Sequence, residues 1–293
     1  MISLESITHL IQDFNQIVTS ATNLGFAHIQ KVPHTLTFVD TQGYAEIALN
    51  NSNVSTILWS HLLDVPSHPH KEVIVVENPR YAFLLLQREF KKYVQSPRSE
   101  IHRDVVVPSS TTVDNFGVTI SSGCTIGQNV VIHSGTFLGP NVTIGDGCVI
   151  GADSMYPILN INQVYENMPH LGKVKVGSNV FVGSKTIIDR AVFAYESTTI
   201  EEGSMLASSC NISHGVQIGK LNRLAAGVRI SGYTTIGDNN WFGPGSVVSN
   251  LLAIGSRNSV AIGSVLAKSL NSDRTYIQNK DFDTQTWNQF TKL

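Results

Sequence analysis

His214 is the side chain in this sequence best suited to moving a proton. It stands in "CNISHGVQIG", and an imidazole titrates near neutral pH, so it can serve as a general base toward an attacking amine or hydroxyl. Glu196 lies eighteen residues earlier. A carboxylate at that spacing could hold the imidazole tautomer and stabilise the imidazolium, provided the chain repeats every eighteen residues. Glu201, Glu202 and Asp189 are alternative partners, should an irregular stretch after Arg190 break the eighteen-residue spacing. The plainer reading of His214, an exposed turn residue without a chemical role, stays open on the residues alone. No GxSxG elbow, Walker sequence or GxGxxG opening a Rossmann helix occurs, which removes several other chemistries. A zinc site would need converging His or Cys, yet His133, His170 and His214 are scattered along the chain.

The element that must position these residues is a six-residue repeat. Aliphatic residues fall at Ile120, Ile126, Ile132, Leu138, Ile144 and Ile150, then at Val176, Val182 and Ile188. The beat weakens at Ala194 and runs on from Ile200 through Ile218, Ile236 and Phe242 to Leu266. A small or medium residue sits two places before many beats, among them Cys124, Thr136, Cys148, Ser204, Cys210 and Thr234. Six is the period of neither a helix nor a strand, so this is a repeat signature. Short strands turning a corner every six residues would point both positions inward, and three sides would close an eighteen-residue coil with ladders about 4.8 Å apart. The expected fold is mainly β, a parallel β-helix solenoid. On it His214, two places after Ile212, falls on an outward corner. Gly232, one coil further on, could offer a backbone N–H to a developing oxyanion.

The spacing from Ile150 to Val176 is not a multiple of six, so the intervening segment must leave the wall as a protruding loop at 152–173. It carries Tyr156, Ile158, Ile161 and Tyr165. Two readings stay open for it: a loop packed on its own scaffold, or one that shapes a pocket or a subunit contact. Residues 1–100 lack the repeat and read as a small N-terminal α/β domain. "SLESITHLIQDF" suits a short helix capped by Ser3, and "TLTFV", "VSTILW" and "EVIVVE" suit strands. Asn78-Pro79 opens a helix through "RYAFLLLQREFKKYV". The solenoid domain is then 101–268, and 269–293 forms a C-terminal cap in which Trp287 and Phe290 could cover the last coil. A net charge of −2 and only 14% charged residues argue against a nucleic-acid surface. No apolar run of membrane-spanning length and no signal-peptide pattern is present, which sets the cytoplasm as the expected location. The three Cys fall on inward positions and read as buried thiols.

The chain resembles the UDP-3-O-acylglucosamine N-acyltransferases of lipid A synthesis, within the hexapeptide-repeat acyltransferases, over nearly its whole length. "GADSMY", "MPHLGKVKVG", "TIIDR" and "NISHGVQIG" resemble successive motifs of that family, and "LTFVDTQGY" and "VVENPRYAFLLL" resemble two from its N-terminal part. The resemblance implies a left-handed β-helix, His214 as catalytic base and Glu196 at the place of the family's carboxylate. It also implies a nucleotide-sugar-binding N-terminal domain in which Phe38 and Tyr44 stack a uracil ring and Thr41 replaces an Asn. The implied assembly is a homotrimer with sites between subunits. Asn250 and Leu251 stand where the family has a Gly-His pair, and little chain follows Leu266 for the long C-terminal helices. The implied activity is transfer of an acyl group from a thioester, acyl-CoA or acyl carrier protein, to the amine of a nucleotide-linked amino sugar in lipopolysaccharide or surface-polysaccharide synthesis. No permanently bound cofactor or metal is expected. A CoA-dependent sugar O-acetyltransferase and a non-catalytic solenoid scaffold are the alternatives.

Overall fold

The computed structural model describes residues 21–278 apart from 30, 31, 68, 69 and 93. The expected first helix with Ser3 and the cap with Trp287 and Phe290 lie outside the described residues. Two compact units are present: the described residues of Met1–Gln95 with Met155–Leu171, and those of Ser96–Ser154 with Gly172–Leu293.

The second unit is a three-sided solenoid of three parallel sheets, each of eight strands and mostly two residues per strand. A two-residue strand presents one side chain outward and the next, the beat, inward. Ile212 and Ile230 pair across one side, Ile218 and Ile236 across another, Leu224 and Phe242 across the third. All the aliphatic and Phe beats are buried in one continuous core, and the small residues two places earlier are buried with them. The first coil begins lower than the clean repeat, with Glu100–Ile101 pairing on Thr119–Ile120. Corners are turned in left-handed backbone, several by Asn, as at Asn129, Asn141, Asn179 and Asn239, the non-glycine residue that best tolerates it.

Some polar residues inside the stack bond to one another from coil to coil, although the Asn258 amide nitrogen and the Thr136, Ser246 and Ser264 hydroxyls are buried without a partner among the described residues. The Asn240 N–H and Nδ2 donate to Asn222 Oδ1 at 2.9 Å, and the Asn258 N–H donates to Asn240 Oδ1 at 2.8 Å. Cys124, Cys148 and Cys210 are free and buried, and burial raises each thiol, Cys210 to about 11. They are packing groups with little thiolate character.

The regular coil of eighteen residues is broken twice. Ile150 pairs with Ile188 and Ile188 with Ile212, although both pairs belong to adjacent coils. The first break holds the excursion Met155–Leu171, and the second holds extra residues between Asp189 and Glu196. Ala194 is therefore no wall position: it is half-buried in an irregular loop. From Ser197 the spacing returns to eighteen, with Thr199 opposite Gln217, and it shortens only in the last turn, where Ser259 lies opposite Thr275.

The first unit has an all-parallel sheet in the order β1 (Asn23–Leu24), β2 (Thr35–Val39), β3 (Val54–Ser60) and β4 (Glu72–Val76). Helix α1 (Gln42–Asn50) follows β2, and α2 (Pro79–Lys91) follows β4. The α2 start is set by sequence: Asn78 Oδ1 accepts the Tyr81 N–H at 3.0 Å, and Pro79 occupies the first turn. Met155–Leu171 joins this unit through an antiparallel hairpin, Pro157–Leu159 with Tyr165–Asn167. Its Glu166 pairs with Arg88 of α2, and Gln87 Nε2 donates to the Pro169 carbonyl at 3.3 Å. The segment expected to protrude from the solenoid domain thus has its own packing partners on α2, and Ile158 is fully buried.

Candidate active site

The corner that follows the strand Asn211–Ile212 gathers most of the candidate residues. Glu196, His214, Gly232 and Asn250 hold the same corner position in successive coils, since Thr199, Gln217, Thr235 and Ala253 pair in turn. The next position is held by Gly215, Tyr233 and Leu251, all in left-handed backbone at φ +70°, +57° and +60°. Backbone bonds stitch the ridge: the Tyr233 N–H donates to the His214 carbonyl, and the Leu251 N–H to the Gly232 carbonyl, each at 3.0 Å. The second break in the repeat therefore leaves the eighteen-residue relation of Glu196 to His214 intact, because the extra residues all precede Glu196.

Two glycines shape the space around the imidazole. A Cβ on Gly232 would lie 2.6 Å from His214 Nε2, so only glycine leaves room for the ring there. A Cβ on Gly215 would meet the Tyr233 ring at 2.6 Å. With that space open, the Tyr233 ring lies edge-on to His214, with centroids 5.3 Å apart and planes at 76°. Its hydroxyl reaches down to donate to Glu196 Oε2 at 3.0 Å.

Glu196 is mostly buried, and burial pushes its carboxyl up to about 7. Hydrogen bonds from the Tyr233 hydroxyl, the Phe193 N–H and the Tyr195 side chain oppose that shift. His214 itself is half-buried at the corner. Asn250 is exposed, and Leu251 is 47% exposed. Of the alternative partners, Glu202 faces solvent and pairs with Lys220 at 3.4 Å, and Glu201 is exposed on that same corner. Asp189 is buried at a strand end, its carboxyl pushed up to about 6 by burial and held against further rise by Ser154. His133 lies 3.6 Å from Asp114, and His170 is buried with Nδ1 3.1 Å from the Met168 carbonyl. Among the described residues no group of three or more His, Cys, Asp or Glu is arranged to hold a metal.

The N-terminal unit has a small cleft, open to solvent and lined by Phe26, Ala27, His28, Thr37, Phe38, Tyr44, Arg80 and Tyr156. Phe38 projects from β2 and Tyr44 from the first turn of α1. Thr41 is the exposed N-cap of α1, makes no capping bond through its side chain and does not line the cleft. Phe26 stacks on Tyr156 at 5.1 Å, and the Arg80 guanidinium lies 5.4 Å from the Phe38 ring centroid while bonding to Asp40 at 2.7 Å. Burial lowers His28 below the ordinary histidine value, which keeps it neutral at neutral pH, and raises the Tyr156 phenol to about 12.

Sequence reasoning named Phe38 and Tyr44, and named Tyr156 only as part of a loop that could shape a pocket; it did not name His28 or Arg80. It also missed Tyr233, although an aromatic residue at a left-handed corner place was a legible signal.

Residues 123–155 match the family model "Bacterial transferase hexapeptide (six repeats)". A UDP-N-acetylglucosamine acyltransferase of known structure superposes with a TM-score of 0.51 at 24% identity, covering 61% of this chain and 66% of its own. Fold and repeat together define a left-handed parallel β-helix of the hexapeptide-transferase type. The chain is 31% identical to the UDP-3-O-acylglucosamine N-acyltransferase of Helicobacter hepaticus, over 69% of this chain and 67% of that protein. It is also 31% identical to the enzyme of that name from Cupriavidus pinatubonensis, over 55% of this chain and 53% of the relative. The chain belongs to the UDP-3-O-acylglucosamine N-acyltransferase family. It spans between about a fifth and two thirds of the length of the relatives it matches.

Proposed function

We propose that this protein is an N-acyltransferase that moves an acyl group from a thioester to the amine of a nucleotide-linked amino sugar, in the synthesis of lipid A or another surface glycan. The observation that carries the reading is the His214 corner. A half-buried imidazole sits against a glycine that leaves it room, on a ridge shared with a buried carboxylate. In the reaction His214 takes a proton from the amine as its nitrogen attacks the thioester carbonyl. The C–N bond forms, the tetrahedral oxyanion collapses, the C–S bond breaks, and the thiolate leaves with a proton returned by the imidazolium. Ionised Glu196 offsets the imidazolium charge, and the Gly232 corner is the proposed place for a backbone donor to the oxyanion. The aromatic cleft, with Phe38 and Tyr44, takes the nucleobase. Arg80 is the cation available there for a phosphate.

The acyl donor is acyl-CoA or an acyl carrier protein. Asn250 and the exposed Leu251, standing where the family has a Gly-His pair, favour a donor other than a long hydroxyacyl carrier. The enzyme works as a homotrimer in the cytoplasm. No helix among the described residues is long and apolar enough to cross a membrane.

The test is transfer from acetyl-CoA and from a hydroxyacyl carrier protein to a panel of nucleotide amino sugars, with sedimentation to count subunits. His214→Ala should keep the assembly and lower turnover by about 10²–10⁴. Full activity in that variant with a productive pair ends the mechanism. Transfer only to hydroxyls selects the O-acetyltransferase reading, and no transfer with any pair leaves the solenoid as a scaffold.

A further inference from the structure

Tyr233 departs from what its position in the repeat requires. Its backbone is left-handed at φ +57°, a conformation that strains an aromatic residue and that Gly or Asn adopts more easily. The equivalent place one coil below is Gly215, whose bare Cα is what lets the Tyr233 ring fold down along the ridge. The ring meets His214 edge-on, and the hydroxyl crosses two coils to reach Glu196. One side chain therefore touches both members of the proposed pair. We infer that Tyr233 is a positioning residue for the proton transfer: its hydroxyl orients the Glu196 carboxylate while its ring edge braces the His214 imidazole.

The inference rests on the catalytic reading of His214 and adds a residue to it. Without the phenol, the half-buried Glu196 would lean on the long Phe193 N–H contact at 3.5 Å and the Tyr195 bond. The carboxylate would then be freer to turn and costlier to ionise. Other ionisable groups on neighbouring elements are Tyr195 on the same loop, Asp189 and Arg190 before it, Lys173 on the strand paired with Ser197, and His214 itself. The Tyr233 and Tyr195 phenols are both hydrogen-bonded to the carboxylate by their side chains. Loss of the Tyr233 hydroxyl therefore moves Glu196 in one direction, toward the protonated form.

The experiment compares wild type with Tyr233→Phe, Tyr233→Leu and Tyr195→Phe, beside His214→Ala. Leu is a safe replacement for the fold, because Leu221 and Leu251 already adopt the same left-handed corner at φ +55° and +60°. Tyr233→Phe should lower kcat about 5–50-fold, leave KM for the nucleotide sugar unchanged, and shift the acid limb of the rate profile to higher pH. Tyr233→Leu, which also removes the ring edge, should lose more. An infrared band of the protonated Glu196 carboxyl, assigned by its absence in Glu196→Gln, should persist to higher pH in Tyr233→Phe than in wild type. A purely structural tyrosine would lower the melting temperature and leave the limb and the band in place. Wild-type kcat and an unshifted limb in Tyr233→Phe, beside an inactive His214→Ala, overturn the positioning role alone. Full activity in His214→Ala overturns the underlying reading, and the positioning role falls with it.

Discussion

The solenoid above Ile200 and the solenoid between Ile150 and Ile200 are built from the same repeat and do different work. From Ile200 to Leu266 the coils have eighteen residues each, the inward stacks are unbroken, and the buried Asn222, Asn240 and Asn258 form a hydrogen-bonded column. Below Ile200, two coils carry extra chain, yet the ladders run straight across both breaks, with Val149 opposite Ile187 and Ile187 opposite Asn211. Corners absorb insertions because a parallel ladder is held by the coils above and below, not by the length of the connection. Both members of the proposed catalytic pair stand beside the second break: Glu196 ends it, and His214 sits on the first regular coil after it.

The contrast can be broken most sharply in the stack. Ile218→Asp puts a carboxylate into a dry core and should destabilise by about 4 kcal/mol or more. The matched change Ile161→Asp, at a hairpin position that is 72% exposed, should stay within about 0.5 kcal/mol. Chemical denaturation of both measures the difference, and similar losses would refute the division into wall and excursion.

The next effect is electrostatic. Glu196 is raised from 4.5 to about 7 by burial, so between those values the folded protein holds a proton that the unfolded chain releases. Stability therefore falls as pH rises from about 4.5 to about 7 and is level above that. Asp189, raised to about 6, adds a slope of the same sign at lower pH. Glu196→Gln keeps an acceptor for both tyrosine hydroxyls and removes the buried charge. It should stabilise the protein at pH 8 by up to about 3 kcal/mol, do little at pH 4, and slow turnover less than His214→Ala does. Melting curves at the two pH values decide it. An equal change at both would show that Glu196 is not the group being titrated.

Within the regular coils, Asn240→Ala should cost about 1–3 kcal/mol. It removes the acceptor of the buried Asn258 N–H and the donor to Asn222. Loss at the lower end would show that water enters the column and replaces the amide.

How far the sequence carried differs between the same two regions. The regular coils were legible residue by residue, because one inward position in six is enough to fix register when each coil templates the next. The eighteen-residue relation of Glu196 to His214 was legible for the same reason. The irregular loop at Ala194 was not, since a weak apolar residue on the beat looks the same whether the wall continues or leaves. Tyr233 went unnoticed because its partner Glu196 is two coils away, a distance that only the closed coil makes short. Helix α1 was also missed: its buried face is only Ala45 and Ala48, and Thr41 gives it no side-chain cap. That helix carries Tyr44 into the cleft.

The smallest effect concerns that cleft, and Tyr44 is the cleaner probe of it than Phe38. Phe38 packs on Phe83 at 5.1 Å and lies under Arg80, so truncating it disturbs packing along with any ligand contact. Tyr44 is 41% exposed, and its one ring neighbour among the described residues is His28 at 5.8 Å. Tyr44→Ala should therefore leave the melting temperature nearly unchanged. If a base stacks on the ring, the variant should bind a uridine nucleotide more weakly by about 1–2 kcal/mol, roughly 5- to 30-fold, toward the lower end of base–aromatic stacking because the ring is half in water. Calorimetric titration with the nucleotide alone isolates this contact from the acyl donor and from His214. Affinity unchanged from wild type would remove Tyr44 from the acceptor site, while the His214 corner would stand on its own tests.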